Sequence, residues 1–160
     1  VLPLAAAHGF RFHHAVGESA MLLAWLPEDE PCPVPDFATH VVGVGGMCIN
    51  ERHEGVLVVQ ERRAATTTSQ GSWKLPGGLV DLAEELDALS PLAPPRKVLE
   101  ETGVRSRFKS LLALRHQHGA AFGRDDAYCV CLLSPLSAEI RACEREIAAA
   151  AWLPLPEYYE

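Results

Sequence analysis

Apolar and polar positions change rhythm several times along this chain, and each rhythm predicts an element. Residues 1–7 are apolar and alanine-rich and stop short of Gly9, the pattern of a short helix closed by glycine. Residues 21–26 read as a strand. The segment Pro27-Glu28-Asp29-Glu30-Pro31-Cys32-Pro33-Val34-Pro35 mixes prolines and carboxylates that suit neither helix nor sheet, so it predicts a linker with a domain boundary near Pro35. Val and Met positions over residues 40–49 fit a strand, in which Gly43, Gly45 and Gly46 mark a bulge or a close approach of backbones. A turn over 50–55 leads to a second strand at 56–60, and the small polar residues 62–71 predict a loop. Residues 73–80 form a short strand interrupted by Pro-Gly-Gly. Farther on, 108–116 and 127–133 are strands joined by a loop that holds Gly119, Gly123, Arg124, Asp125 and Asp126. Residues 148–153 make a last strand, and Pro156 opens a helix. No internal repeat is present, and the sum is a mixed α/β domain with at least one helix against the sheet.

Composition narrows the function classes. At 160 residues the chain suits one ordinary domain, or one domain and a fragment of another, and an apolar share of 48% allows a sizeable core. A formal net charge of −7 argues against a nucleic-acid or acidic-membrane surface, which draws on clustered Lys and Arg. The expected partner is therefore a small molecule, and a phosphate substrate calls for a divalent cation beside it. Five cysteines, odd in number and without a Cys-x-x-Cys pair, favour reduced thiols in a cytoplasmic or organellar compartment, mitochondrion or chloroplast, and not secretion. The longest apolar run, residues 20–26, is far short of the ~20 residues that span a bilayer.

Two stretches carry the chemistry: Ser72-Trp73-Lys74-Leu75-Pro76-Gly77-Gly78-Leu79-Val80-Asp81 and Arg96-Lys97-Val98-Leu99-Glu100-Glu101-Thr102-Gly103-Val104. Together they resemble a nudix box, which reads Gly, five residues, Glu, seven residues, then Arg-Glu-apolar-x-Glu-Glu-x-Gly-apolar. Gly78 and Glu84 keep the first spacing, and Arg96, Val98, Glu100, Glu101, Gly103 and Val104 keep the second half. The box is degenerate in two ways, since eleven residues in place of seven separate Glu84 from Arg96, and Lys97 stands where the family has a glutamate. Both departures fall within residues 86–97, as one replaced segment or one misread stretch of coding sequence would leave them.

Flanking text extends the resemblance over nearly the whole chain. Gly9-Phe10-Arg11-Phe12-His13-His14-Ala15, Trp25-Leu26-Pro27, Ala38-Thr39-His40-Val41-Val42-Gly43-Val44-Gly45, Val56-Leu57-Val58-Val59-Gln60-Glu61, Leu114-Arg115-His116 and Ala151-Trp152-Leu153-Pro154 are similar to plant nudix hydrolases and to their animal relative, the antisense basic fibroblast growth factor protein. The resemblance implies a nudix fold, a mixed β-sheet with flanking helices in an α/β/α sandwich. It implies residues 1–35 as the tail of a pre-nudix domain plus linker, and 36–160 as a nudix domain cut short at its end. It also implies Mg²⁺ or Mn²⁺ as cofactor and hydrolysis of a nucleoside diphosphate linked to another moiety, ADP-ribose or NADH first and coenzyme A among relatives, with release of AMP. A homodimer is the candidate assembly.

Cleaving a phosphoanhydride brings water against a doubly negative group, so the site needs a hard cation and a carboxylate that takes the water's proton. Positions 97, 100 and 101 share one helix face. Glu100 and Glu101 remain there as candidate metal ligands, Arg96 as the arginine that orients a glutamate such as Glu100, and Glu84 as a helper. Gly77 and Gly78 let backbone approach phosphate, and Trp73 and Arg115 are the candidate substrate contacts. The Lys97 ammonium cannot ligate a cation; at ~4 Å from a carboxylate and an effective dielectric of ~20 its attraction is roughly 4 kcal/mol before desolvation, so it competes with the metal. Pro91, Pro94 and Pro95 fall where the family helix runs unbroken, and an interior proline costs about 3 kcal/mol or more. The expected result is a short helix over 82–89, a loop over 90–94 and a restart with Pro95 near the first helical position.

Each candidate has a bland counterpart. Glu100 and Glu101 could line a solvated face, and Lys97 could simply pair with Glu101 at the surface. Trp73, Phe122 and Tyr128 could stack an adenine, though core or loop packing is the ordinary fate of such rings. His116 and His118, two apart on a strand, share one side and could ligate a metal, with a structural or substrate-facing role favoured. His13 and His14 belong to the first segment, where packing or solvent exposure is expected. Cys129 and Cys131 share a strand face as buried thiols. Asp125, Asp126 and Glu146 are candidates for one more acid near the metal. The alternative to a hydrolase is an inactive nucleotide-binding or interaction module with the same fold.

Overall fold

The apolar run Val56-Leu57-Val58-Val59 is wholly buried, although successive side chains of a strand point to opposite faces. Such a strand must be covered on both sides, which demands a three-layer arrangement. In the computed structural model, which describes residues 1–50, 55–62, 71–81, 83–84, 93–120 and 123–158, that strand lies inside a mixed sheet with a helix on each face. The chain falls into two compact units, Val1–Thr39 and His40–Glu160.

The first unit holds helix α1 (Leu2–Ala7) and the antiparallel strands β1 (Arg11–Val16) and β2 (Ser19–Leu23). Gly17, at φ +56°, turns one strand into the other. Strand β1 is not expected from the sequence, and β2 stops at Leu23 instead of reaching residue 26. His14 stacks on Phe37 with ring centroids 4.2 Å apart, and His13 bonds the Pro35 carbonyl oxygen through Nε2 at 2.8 Å.

The second unit contains β3 (His40–Asn50), β4 (Gly55–Glu61), β5 (Gly77–Leu79), helix α2 (Ala93–Thr102), β6 (Ser106–Gln117), β7 (Asp125–Pro135), β8 (Ile147–Pro154) and helix α3 (Leu155–Tyr158). The sheet runs β6-β7-β3-β4-β8, with β3 parallel to β7 and the other pairs antiparallel. Leu57, Cys48, Cys131 and Leu133 pack with Val98 of α2 and with Val104 just beyond its end. Val56 and Val58 face the other side, against Leu75 and the α3 residues Leu155 and Tyr158. This is the expected sandwich.

Among the described residues, strands β3 and β4 pair at Ile49↔Val56 and Asn50↔Gly55 and nowhere else. Beyond that they part, and the segment carrying the Pro-Gly-Gly motif enters the gap. Lys74 exchanges backbone hydrogen bonds with Val59 at 2.9 and 3.0 Å, and then Gly77, Gly78 and Leu79 pair with Gly45, Val44 and Gly43. Glycine is required at 77 because a Cβ there would collide with the Val44 carbonyl oxygen and come within 2.9 Å of Gly45 Cα. Gly43 has a different reason, since a Cβ would sit 2.8 Å from the Tyr128 ring.

Helix α2 departs from expectation at its start. Ala93 and Pro94 are already helical, where a loop over 90–94 is expected. Pro94 and Pro95 lie in the first described turn, and the first N–H groups of a helix have no intrahelical acceptor, so these prolines forfeit little there. Apart from Ala83 and Glu84, which sit in a turn, the expected helix over 82–89 lies outside the described residues, as do Pro91 and most of the loops expected at 50–55 and 62–71. At the other end Gly103, at φ +71°, closes the helix with a bond from its N–H to the Leu99 carbonyl at 2.9 Å. Backbone N–H groups of Arg141 and Cys143 take the carbonyls of Thr102 and Glu101 at 2.7 and 2.9 Å, fixing the helix end in the domain. Asp125 and Asp126, expected in a loop, begin β7 instead because β3 extends the ladder to them through His40↔Asp125 and Val41↔Asp126.

Replacing Gly77 with alanine is expected to lower the stability read from urea denaturation by about 1–3 kcal/mol, because backbone must move to admit the methyl group. A midpoint equal to the parent's contradicts this packing.

Candidate active site

The first turn of α2 projects Arg96 toward three carboxylates. Its Nε and Nη2 form a two-bond fork with Glu84, the second at 2.6 Å, while Nη1 donates to Glu100 Oε1 at 2.7 Å and Nη2 also reaches Asp81 Oδ2 at 2.9 Å. Glu84 accepts a further bond from the Asp81 N–H at 3.0 Å, in a turn where Ala83 takes the left-handed conformation at φ +62°. Hydrogen bonds from Arg96 hold the Glu84 carboxyl down at about 2, against the opposing effect of desolvation. The same bonds push the guanidinium further above its already high range. Arg96 thus ties residues on both sides of the inserted segment to one helix turn.

Lys97 lies beside this hub. Its Nζ is 3.8 Å from Glu100 Oε2, and its side chain crosses the space over Gly78, within 3.8 Å of where a Cβ would stand. The expected surface pair with Glu101 is not formed. Glu101 is buried, its Oε2 accepting the Gly77 N–H at 3.1 Å. Glu100, in contrast, is exposed.

A second charged group surrounds Glu101. Burial pushes its carboxyl up to about 7; the Lys74 ammonium and the Gly77 N–H oppose that rise, and Glu61 and Glu146 add to it. Lys74 pairs directly with Glu61. Of the acids considered for a supplementary role, Glu146 therefore stands in electrostatic reach of Glu101. Asp125 does not join it: its carboxylate binds His118 Nδ1 at 2.8 Å and the Gly119 N–H at 3.0 Å. Asp126 lies beside Gly43 and near Tyr128, with Oδ1 buried.

Tyr128 is a packed residue, its ring filling the space over Gly43 and Gly45. Burial raises its hydroxyl to about 12, with Tyr158, Glu101 and Asp126 contributing. Phe122 lies outside the described residues. Trp73 is exposed and precedes Lys74. Arg115 shares none of the box contacts described, and its guanidinium bonds Gln117 on the same strand. Asp81, Glu61 and Lys74 escape the sequence reading, although Lys74 and Asp81 lie within the motif that carries the resemblance.

The donor set suits a hard divalent cation in type, since Glu100 and Glu101 offer carboxylate oxygens on consecutive residues of one helix. Arg96 holds Glu100 Oε1, and the Lys97 ammonium lies 3.8 Å from Oε2, so a cation must displace that ammonium to reach the second oxygen.

A profile of the NUDIX domain matches residues 39–160. Along its full length the chain is 43% identical to Nudix hydrolase 8 of Arabidopsis thaliana, of which it covers 42%. It is likewise 43% identical, over 98% of its length, to Nucleoside diphosphate-linked moiety X motif 6 of Xenopus laevis, covering 69% of that protein. The chain spans about half the length of the curated relatives it matches. Among solved structures, the MutT NUDIX hydrolase from Burkholderia pseudomallei superposes with a TM-score of 0.60 at 28% identity, over 73% of this chain and 84% of that one. Among the described residues no helix is long and apolar enough to cross a membrane.

The Glu101 carboxyl has a signature in stability. Its ordinary value is 4.5 and its folded value about 7, so between these the folded state binds the extra proton and stability falls as pH rises through that window. With divalent ions chelated, Glu101→Gln is expected to gain on the parent between pH 5 and pH 8 in urea denaturation. A difference that does not change with pH contradicts the assignment.

Proposed function

The chain belongs to the Nudix family, and on that premise we propose that it hydrolyses nucleoside diphosphates linked to another moiety, with ADP-ribose and NADH as leading substrates and AMP as product. The observation that carries this reading is the survival of Glu100 and Glu101 at the box positions on a helix whose Arg96 is bonded to both Glu84 and Glu100. Residues 1–35 we read as the end of a preceding domain with its linker, and 36–160 as the catalytic domain.

In this proposal Glu100 and Glu101 hold Mg²⁺ or Mn²⁺, which when bound neutralises the diphosphate and acidifies an attacking water. Arg96 fixes the Glu100 carboxylate, and Glu84 fixes Arg96 in turn. Gly77 and Gly78 are assigned to the diphosphate, which must displace the Lys97 side chain from the space over Gly78 to approach the backbone. Trp73 and Arg115 are assigned to the substrate, the first as an exposed ring for the base. Glu101, whose carboxyl burial raises to about 7, must give up its proton to ligate the ion, so metal binding is expected to weaken as pH falls below that value. Lys97 puts an ammonium where the family has a carboxylate. Loss of a general base slows such reactions by about 10²–10⁴-fold, so turnover is expected to be slow.

One observation favours a second reading. The Lys97 ammonium beside Glu100 satisfies part of the charge a cation would balance, which suits a module that binds nucleotide without turnover. Such a module binds in calorimetry with little dependence on Mg²⁺.

The deciding assay follows AMP release from ADP-ribose, NADH and coenzyme A with Mg²⁺, for the parent and for Lys97→Glu. The hydrolase reading expects slow multiple turnovers from the parent and about 10²–10⁴-fold faster release from the variant. Two folded proteins that release no AMP contradict it.

A further inference from the structure

Apart from the box, three adjacent strands bring imidazoles and a carboxylate to one point. His40 opens β3, Asp125 opens β7 and His116 lies near the end of β6. Register places them on one face: His40 pairs with Asp125 across the parallel ladder, and His116 pairs with Ala127, two residues along from Asp125. His40 Nε2 and His116 Nε2 are 2.8 Å apart, and Asp125 Oδ2 lies 3.5 Å from His116 Nε2 and 4.0 Å from His40 Nε2. All three atoms fall within 4.8 Å of one another.

We propose that His40, His116 and Asp125 form a binding site for a borderline divalent transition-metal ion of the zinc class, separate from the oxygen-only site of the box. Ligand atoms around a tetrahedral ion with bonds of about 2.0–2.1 Å are about 3.3–3.4 Å apart, a spacing that the three observed separations bracket. Two imidazoles with one carboxylate select Zn²⁺, Co²⁺ or Ni²⁺ over Mg²⁺, which prefers oxygen throughout. Outer contacts already orient the carboxylate: the Gly119 N–H holds Oδ1 at 3.0 Å, and His118 Nδ1 meets Oδ2 at 2.8 Å. The His40 and His116 side chains are 40% and 49% exposed, so an ion can enter from solvent and keep an open position for water or a further ligand. A bound ion would clamp β6, β7 and β3 together at this end of the sheet.

Chelator-treated protein titrated with Zn²⁺ alone, followed by calorimetry and thermal melting, tests the site. One ion per chain is expected, with a raised melting temperature, and Co²⁺ substitution is expected to give a tetrahedral spectrum without thiolate charge transfer. His116→Gln and His40→Gln, both at exposed positions, should each weaken Zn²⁺ binding by about tenfold or more, whereas Glu100→Gln should leave it in place. Zinc binding that survives both histidine variants, that shows thiolate ligation, that disappears with Glu100→Gln, or that is absent from the parent overturns the proposal.

Discussion

The Arg96 guanidinium is the constraint on which the arrangement of the box depends. Four residues more than the family spacing separate Glu84 from the helix that carries Glu100 and Glu101, and covalent continuity alone would not keep the two halves in register. Arg96 does so by electrostatics, binding Glu84 through a planar fork and reaching Glu100 and Asp81 with its remaining donors. A lysine could supply the charge but not the fork. The Glu84 side chain is only 11% exposed, so this pair is less screened than an ordinary surface ion pair.

Backbone packing performs the complementary task on the strand side. Because β3 and β4 diverge after two paired positions, the glycine segment can enter between them and present the Gly77 N–H to Glu101. The two acids of the helix therefore have unlike surroundings: Glu100 is exposed among cations, and Glu101 is buried with its proton affinity raised. To hold one ion together, Glu100 must part from the Lys97 ammonium and Glu101 must release its proton.

Much of this was legible in the sequence. Arg96 to Val104 announces the helix and its glycine stop, and the Val-rich runs announce the central strands. Side-chain direction was not legible: spacing places 97, 100 and 101 on one face, yet tertiary packing turns Glu101 inward to Gly77 and leaves Lys97 to Glu100. Asp125 and Asp126 read as loop because aspartate is a poor strand former and glycines precede them, and only the ladder to β3 makes them strand. His40 and His116 are 76 positions apart, so their meeting depends on strand order, which local pattern does not reveal. Strand β1 is not legible because its Arg-Phe-His-His text carries no clear alternation.

The central claim is that consecutive glutamates on α2 still gather a divalent cation although an ammonium has replaced their third partner. Anomalous diffraction from crystals soaked in Mn²⁺ tests it most directly. The account predicts a manganese peak in contact with the Glu100 and Glu101 carboxylates, with Lys97 drawn away from Glu100. No peak there, with Lys97 still against Glu100, would contradict it.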